Sequence, residues 1–250
     1  MVNDLKNKTV VITGGAQGIG LATADKYLAK GAKVCILVDI DAKHGATAVN
    51  DLNGKYGNNR AEFIKCDVTA DLEAVSSKIF NKYKTVDVLI NNAGILNEHN
   101  LRKTIEINVT ALMEWSVKFF DHMRKDNGGK GGTIINLASI YGFRVDPFLP
   151  IYQGSKFAVM GYTRSLGHKY RCERYGVRVV AVCPGFTDTI LTTGVKVRED
   201  QIMQKDFEKM LEATPWQQVE DVARAAVDVY EKAESGTAWL IEGSKPIVEV

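Results

Sequence analysis

The chain has 250 residues, 45% of them hydrophobic and 25% charged, with a formal net charge of +2. A chain of this length buries a large core without covalent staples, and its near-neutral balance gives no electrostatic case for nucleic acid or an acidic membrane surface as partner. The four cysteines have neither zinc-type nor disulfide-type spacing, no apolar run reaches membrane-spanning length, and the N-terminus lacks an apolar signal core, so the expectation is a cytoplasmic protein of a reducing compartment with no bound metal.

Residues 8–13 form a short β-branched run, which predicts a buried parallel strand. A glycine turn follows at once, with Gly14, Gly15, Gly18 and Gly20 around Gln17 and Ile19. A helical pattern then runs to about Lys30, Gly31 ends it, and an apolar strand over 33–38 closes on Asp39. Strand, glycine turn, helix, strand and acid, in that order, are what a dinucleotide needs. Glycines keep the turn tight and let the helix N-terminus, with its partial positive charge and free N–H donors, approach a pyrophosphate. The spacing, Gly-x3-Gly-x-Gly, also suits a plain glycine-rich turn, and Asp39 beyond it favours the nucleotide.

The alternation continues with a helix over 42–56, a strand over 62–66 ending at Asp67, a helix over 72–83, and a strand over 86–90 ending in Asn91, Asn92, Ala93 and Gly94. Asp67 and Asn91 fall just past strand carboxyl ends, the edge of a parallel sheet where ligands bind. Each taken alone reads equally as a helix cap. A long helix over 101–125 is apolar on more than one face; one face covers the sheet, and the other predicts a homodimer interface. Asn108 lies inside it, where a back-bonded or partly exposed asparagine is the ordinary explanation. A strand over 133–138 ends at Ser139, and after a loop with two prolines a helix opens at Tyr152 and runs to about Tyr175. A strand over 177–182 ends in Cys183, Pro184 and Gly185. Residues 186–212 form a less regular substrate loop with a helical second half, before a helix over 219–232 and a strand over 238–241. Without repeats or a linker, residues 1–250 read as one α/β domain.

Tyr152 and Lys156 stand one turn apart on one helix face. A phenol ionises near pH ~10 and is a poor base at neutral pH. An ammonium beside it favours the phenolate and lowers that pKa, which makes the pair a possible general acid/base. Tyr-x3-Lys also arises by chance in many helices, so the rest of the chain decides its meaning.

Together, Thr13-Gly14-x3-Gly18-x-Gly20, Asn91-Asn92-Ala93-Gly94, Asn108, Ser139, Tyr152-x3-Lys156 and Pro184-Gly185 resemble the short-chain dehydrogenase/reductase family, in its order and at its usual spacings. The resemblance implies a doubly wound Rossmann fold, a parallel seven-stranded sheet with helices on both faces. It also implies an NAD-dependent enzyme with Tyr152 as general base in alcohol oxidation and general acid in carbonyl reduction. Lys156 then lowers the tyrosine pKa and bonds the nicotinamide ribose, Ser139 polarises the reacting oxygen, and Asn108 holds a water beside Lys156. The cofactor would rest on Gly14, Gln17, Gly18, Ile19 and Gly20, with Asp39 at the adenosine ribose and Asp67 and Val68 at the adenine. Asn91, Ala93 and Gly94 would border the adenosine ribose, and Pro184, Gly185, Thr187 and Thr189 the nicotinamide amide.

Finer likeness points to two branches. Residues 84–96 and Gly236 to Trp239 are similar to the fruit-fly type alcohol dehydrogenases, and residues 128–135 and 183–186 to the 15-hydroxyprostaglandin dehydrogenases. The prostaglandin enzymes carry a glutamine three residues before the tyrosine, where this chain has Leu149. The expected substrate walls, Ile95, Leu96, Tyr141, Leu149, Phe186 and Ile190 beside Ser139, include no cation, and ordinary core packing would place the same residues together. They favour interconversion of an apolar primary or secondary alcohol and its aldehyde or ketone. The alternatives are oxidation of a lipid hydroxyl in the manner of the prostaglandin enzymes, and a non-catalytic NAD-binding protein.

Overall fold

A computed structural model describes residues 3–250. The β-branched run Thr9–Thr13 (β1) is buried along its whole length and pairs in parallel with Val34–Asp39 (β2) on one side and Val88–Asn91 (β4) on the other. Its side chains alternate between two cores, as a two-residue period requires. Val10 and Ile12 face one core and Val11 the other. Ala61–Lys65 (β3) extends the sheet beyond β2; Gly132–Leu137 (β5), Val177–Pro184 (β6), Ala238–Ile241 (β7) and Val248–Glu249 (β8) extend it beyond β4. The order is β3-β2-β1-β4-β5-β6-β7-β8. The winding reverses between β1 and β4, which opens a crevice at their carboxyl ends.

Among the described residues the sheet has eight strands rather than the seven expected, and it is not wholly parallel, since β8 pairs antiparallel with β7. A two-residue strand carries no periodicity, and only its partner defines it.

Gly18–Ala29 (α1), Ala42–Tyr56 (α2) and Val219–Lys232 (α9) cover one face, with Tyr27 donating its hydroxyl to Ala226 O at 3.0 Å. Leu72–Tyr83 (α3) and the aromatic stripe Trp115, Phe119 and Phe120 cover the other. The helix expected over 101–125 is broken into Leu101–Ile105 (α4), a π-helical turn at Glu106–Ala111 and Leu112–Met123 (α5). A π turn adds one residue to a turn and leaves the apolar pattern almost intact, so periodicity does not reveal it. The helix expected over 152–175 starts earlier, at Pro150, and divides into Pro150–Leu166 (α6) and Lys169–Tyr175 (α7). At the break, a Cβ on Gly167 would lie 2.4 Å from Val179 O, so only glycine lets the chain pass β6 this closely. Gln201–Ala213 (α8), capped by Asp200, forms the helical second half of the segment 186–212.

Candidate active site

The glycine turn is built by close packing at the crevice. Gly14 has φ +63°, and a Cβ there would meet Asn92 Nδ2 at 2.8 Å and Ala93 Cα at 3.0 Å. A Cβ on Gly20 would lie 2.2 Å from Gly14 O. Asn92 ties the turn to β4, donating Nδ2 to Thr13 O at 3.0 Å and Gly14 O at 2.9 Å. Thr13 Oγ1 accepts from the main-chain N–H groups of Asn92 and Ala93, both at 3.1 Å. Gln17 caps α1 with no side-chain hydrogen bond, and the first turn holds no acid. The free N–H donors there are open to an anion, and the cradle fits a dinucleotide pyrophosphate. Asp39 closes the cradle, its Oδ2 accepting from Ala16 N and its Oδ1 from Asp41 N, both at 3.0 Å. Across the crevice, Thr189 Cγ2 would lie 3.9 Å from a Cβ on Gly18.

The second cluster gathers where β5 ends and α6 begins. Tyr152 is 7% exposed and Lys156 6%, with Lys156 Nζ 5.5 Å from the centre of the Tyr152 ring. Ser139 Oγ accepts from Tyr141 N at 3.1 Å, which leaves its own proton to donate. Lys156 Nζ donates to Leu137 O at 2.8 Å, and a Cβ on Gly94 would lie 3.9 Å from that nitrogen, so the lysine head reaches the end of β4. A buried phenol, an ammonium and a free hydroxyl donor beside a dinucleotide cradle can move a proton on and off an alcohol oxygen.

A family model described as short chain dehydrogenase matches residues 8–200. The chain belongs to the short chain dehydrogenase family. It is 36% identical to the human 15-hydroxyprostaglandin dehydrogenase [NAD(+)], over 78% of this chain and 74% of that protein. It is 31% identical to alcohol dehydrogenase 2 of Ceratitis capitata, over 94% of this chain and 92% of that protein. Among solved structures, levodione reductase superposes with a TM-score of 0.81 at 26% identity, over 95% of this chain and 97% of that one. As a member of the family it is an oxidoreductase acting on a hydroxyl/carbonyl pair.

This short chain dehydrogenase places the remaining expected residues unevenly. Asn91 turns its amide nitrogen inward, donating to Ser116 Oγ and Asn136 Oδ1, both at 2.9 Å, while its buried Oδ1 has no protein partner. Ile19 packs into the core, and Val68 O accepts from Trp115 Nε1 at 3.0 Å. Asp67 accepts from the hydroxyl and N–H of Thr69, which hold its carboxyl below the usual range; it thus caps its own turn. Thr187 and Thr189 shape their loop, Thr187 donating to Gly185 O at 3.0 Å and Thr189 capping a short 3₁₀ turn. Asn108, in the π turn, grips the main chain of Ile95 with both amide atoms at 2.8 Å and donates to Ser155 Oγ at 3.1 Å.

Tyr141 and Phe186 stand near Tyr152, edge to face at 5.8 Å from one another, with Leu149 and Leu96 in the same cluster. Ile190 does not join them: it is 71% exposed, because the 3₁₀ turn rotates it outward. Gln153, Asp146 and Glu98 were not expected at the site, and Asn92 only as part of the Asn91 to Gly94 loop. Asp146 accepts the Tyr141 hydroxyl and the Gln153 amide, and the Tyr141 ring stands edge to face with Tyr152 at 6.3 Å. Asn92 was visible inside the Asn91 to Gly94 motif; the other three carry no local signal.

Burial pushes the Tyr152 phenol up to about 12, opposed by the Ser139 hydroxyl, and pushes the Lys156 ammonium down to about 8. The expected lowering of the tyrosine by the lysine is absent in the protein alone, where loss of water dominates both groups. Lys156 titrates at 10.5 when unperturbed, so holding it charged inside costs roughly 3 kcal/mol below pH ~8, a cost that fades as pH rises to ~10.5. Replacing Lys156 with Met is expected to raise unfolding free energy by about 1–3 kcal/mol at pH 7, with the gain vanishing by pH ~10.5. Urea titrations at both pH values check this.

Proposed function

We propose that this dehydrogenase oxidises the hydroxyl of an apolar, lipid-like alcohol, and reduces the matching carbonyl, with Tyr152 as general acid/base. The observation that carries the reading is the buried Tyr152 with Lys156 and Ser139 at its side, beneath an aromatic wall and beside the glycine cradle. Gly14, Gly18 and Gly20 would hold NAD, which would supply the hydride acceptor. Tyr152 takes the hydroxyl proton, Ser139 donates a hydrogen bond to the same oxygen, and the Lys156 charge stabilises the phenolate. Asn108 holds the main chain at Ile95, beside Gly94 and the lysine head, and its place supports the proton-relay role implied by the family.

The likeness to prostaglandin dehydrogenases at 33–37% identity, against 31% for the insect alcohol dehydrogenases, favours a lipid hydroxyl over a short alcohol. Tyr141, Phe186 and Trp216 form an aromatic wall, and Phe207 of α8 packs on Phe148 at 5.5 Å. Leu149, fully buried in the same cluster, puts an alkyl side chain where a prostaglandin enzyme has an amide, which supports apolar fit as the basis of substrate selection. All eight strands join one sheet, which supports one catalytic domain. The four cysteines are free thiols, and among the described residues no helix is long and apolar enough to cross a membrane; we place the enzyme in the cytoplasm.

Tyr152→Phe keeps the ring and removes the oxygen, so turnover of any alcohol should fall at least ~10²-fold with NAD binding nearly unchanged. NADH absorbance and cofactor fluorescence read the two quantities, and a third of wild-type kcat in the variant would refute the role.

Asp39 supports NAD over NADP. Placed ~5 Å from a 2′-phosphate at an effective dielectric of ~20, it repels each unit of phosphate charge by about 3 kcal/mol before screening. The nearby His44 is tied to Asp41, and no arginine stands in residues 40–48 to receive a phosphate. The ratio of kcat/KM values, measured on one alcohol, should favour NAD by roughly 10²–10³; a ratio under ten would remove Asp39 from the ribose.

A homodimer through the outer faces of α5 and α6 completes the proposal. Phe157 and Val117 are exposed there, and Gly154 and Gly161 flank Phe157 with open space where a Cβ would stand. Small residues around an aromatic let a second helix approach closely. Sedimentation at micromolar concentration should show a dimer, and Phe157→Glu should weaken it.

A further inference from the structure

Tyr152 is the third residue of α6. There main-chain N–H groups lack partners within the helix, and fraying begins. Every donor of that first turn is nevertheless satisfied. Pro150 has no N–H, and Gln153 N donates to Leu149 O at 2.9 Å. Ile151 N donates to Glu98 Oε2 at 3.0 Å and Tyr152 N to Glu98 Oε1 at 2.8 Å. The cap residue Leu149 contributes no side-chain bond, so the cap comes from a distant loop, the one that follows β4. Glu98 is 1% exposed, and each of its two oxygens accepts one of these N–H groups.

The loop that carries Glu98 is itself anchored. Asn108 grips Ile95, and Thr104 Oγ1 donates to Asn97 O at 2.9 Å. The same Asn108 donates to Ser155 Oγ, whose hydroxyl donates to Tyr152 O at 2.7 Å. The peptide of Tyr152 is therefore gripped at its N–H by Glu98 and at its C=O by Ser155.

We propose that Glu98 is a positioning residue for Tyr152: its carboxylate fixes the first turn of α6, and with it the height of the phenol oxygen over the substrate. This rests on the reading of Tyr152 as the acid/base. Glu98 acts through the main chain, so its removal changes the placement of the phenol and leaves the glycine cradle alone. A misplacement of about 1 Å at a reacting group lowers rate by up to ~10².

The test compares Glu98→Gln and Glu98→Asp with wild type, with Tyr152→Phe as reference. Gln keeps one acceptor and sets an NH2 against the other N–H. Its kcat is expected to fall about 10- to 100-fold, with the NADH dissociation constant within twofold of wild type by fluorescence titration. Asp keeps the charge one methylene short and is expected to lose about 3- to 10-fold, a partial rescue that a charge-independent scaffold would not give. If the Gln variant fails to fold, the Asp variant decides: a threefold or greater loss of kcat at unchanged NADH affinity supports the proposal, and kcat within twofold of wild type overturns it. Equal losses of kcat and NADH affinity in either variant overturn it too. Turnover retained by Tyr152→Phe would overturn both this proposal and the acid/base reading. A dead Tyr152→Phe beside an unaffected Glu98→Gln would overturn this proposal alone.

Discussion

Lys156 is an ammonium carried inside the protein with one carbonyl partner, and the site is arranged around that cost. Loss of water lowers its pKa and the same burial raises that of Tyr152, so each group is driven toward its neutral form. Neither shift serves folding. A lysine in this position weakens the native state at neutral pH, and its retention fits a site in which the charge is needed for a phenolate. The surroundings hold the pair rigid: Leu137 O fixes the ammonium, and Ser155 and Glu98 fix the tyrosine peptide.

The crevice between β1 and β4 is the second constraint, and it is topological. Because the strand order reverses there, the loops after β1 and β4 diverge from a common edge and leave room for a ligand between them. Asn92 and Thr13 then draw those loops back to a fixed separation, and Gly14 and Gly20 remove the atoms that would otherwise collide. A chain of buried amides and hydroxyls, from Ser116 through Asn91 and Asn136 to Thr163, ties α5, β4, β5 and α6 together just below the site. Buried polar ties of this kind set one arrangement of elements over others of similar hydrophobic burial, and Asn91 Oδ1 is left here without a protein partner.

Strands and helices with a strong, uninterrupted period were legible in the sequence. The helices at Ala42–Tyr56, Leu72–Tyr83 and Val219–Lys232 and the strand Ala238–Ile241 lie where the pattern put them. The exceptions share a cause. The π turn at Glu106–Ala111, the break at Gly167 and the two-residue β8 are each decided by a distant partner: Ile95, Val179 and Trp239 respectively. Ile190 was expected at the substrate and is exposed, because an apolar residue in an irregular loop carries no record of which way it faces.

By itself the sequence determined the alternating α/β order, the glycine turn and its acid, and the presence of the tyrosine, lysine and serine, since each depends on residues close together in the chain. Only the tertiary structure decided what those residues touch. It turned the Asn91 amide away from the crevice, gave the Tyr141 hydroxyl to Asp146, and brought Glu98 to the N-terminus of α6 from a loop 54 residues before Tyr152. The physical reason is the same throughout. A buried polar group must find a partner, and which partner lies within reach is set by how the strands are ordered in the sheet.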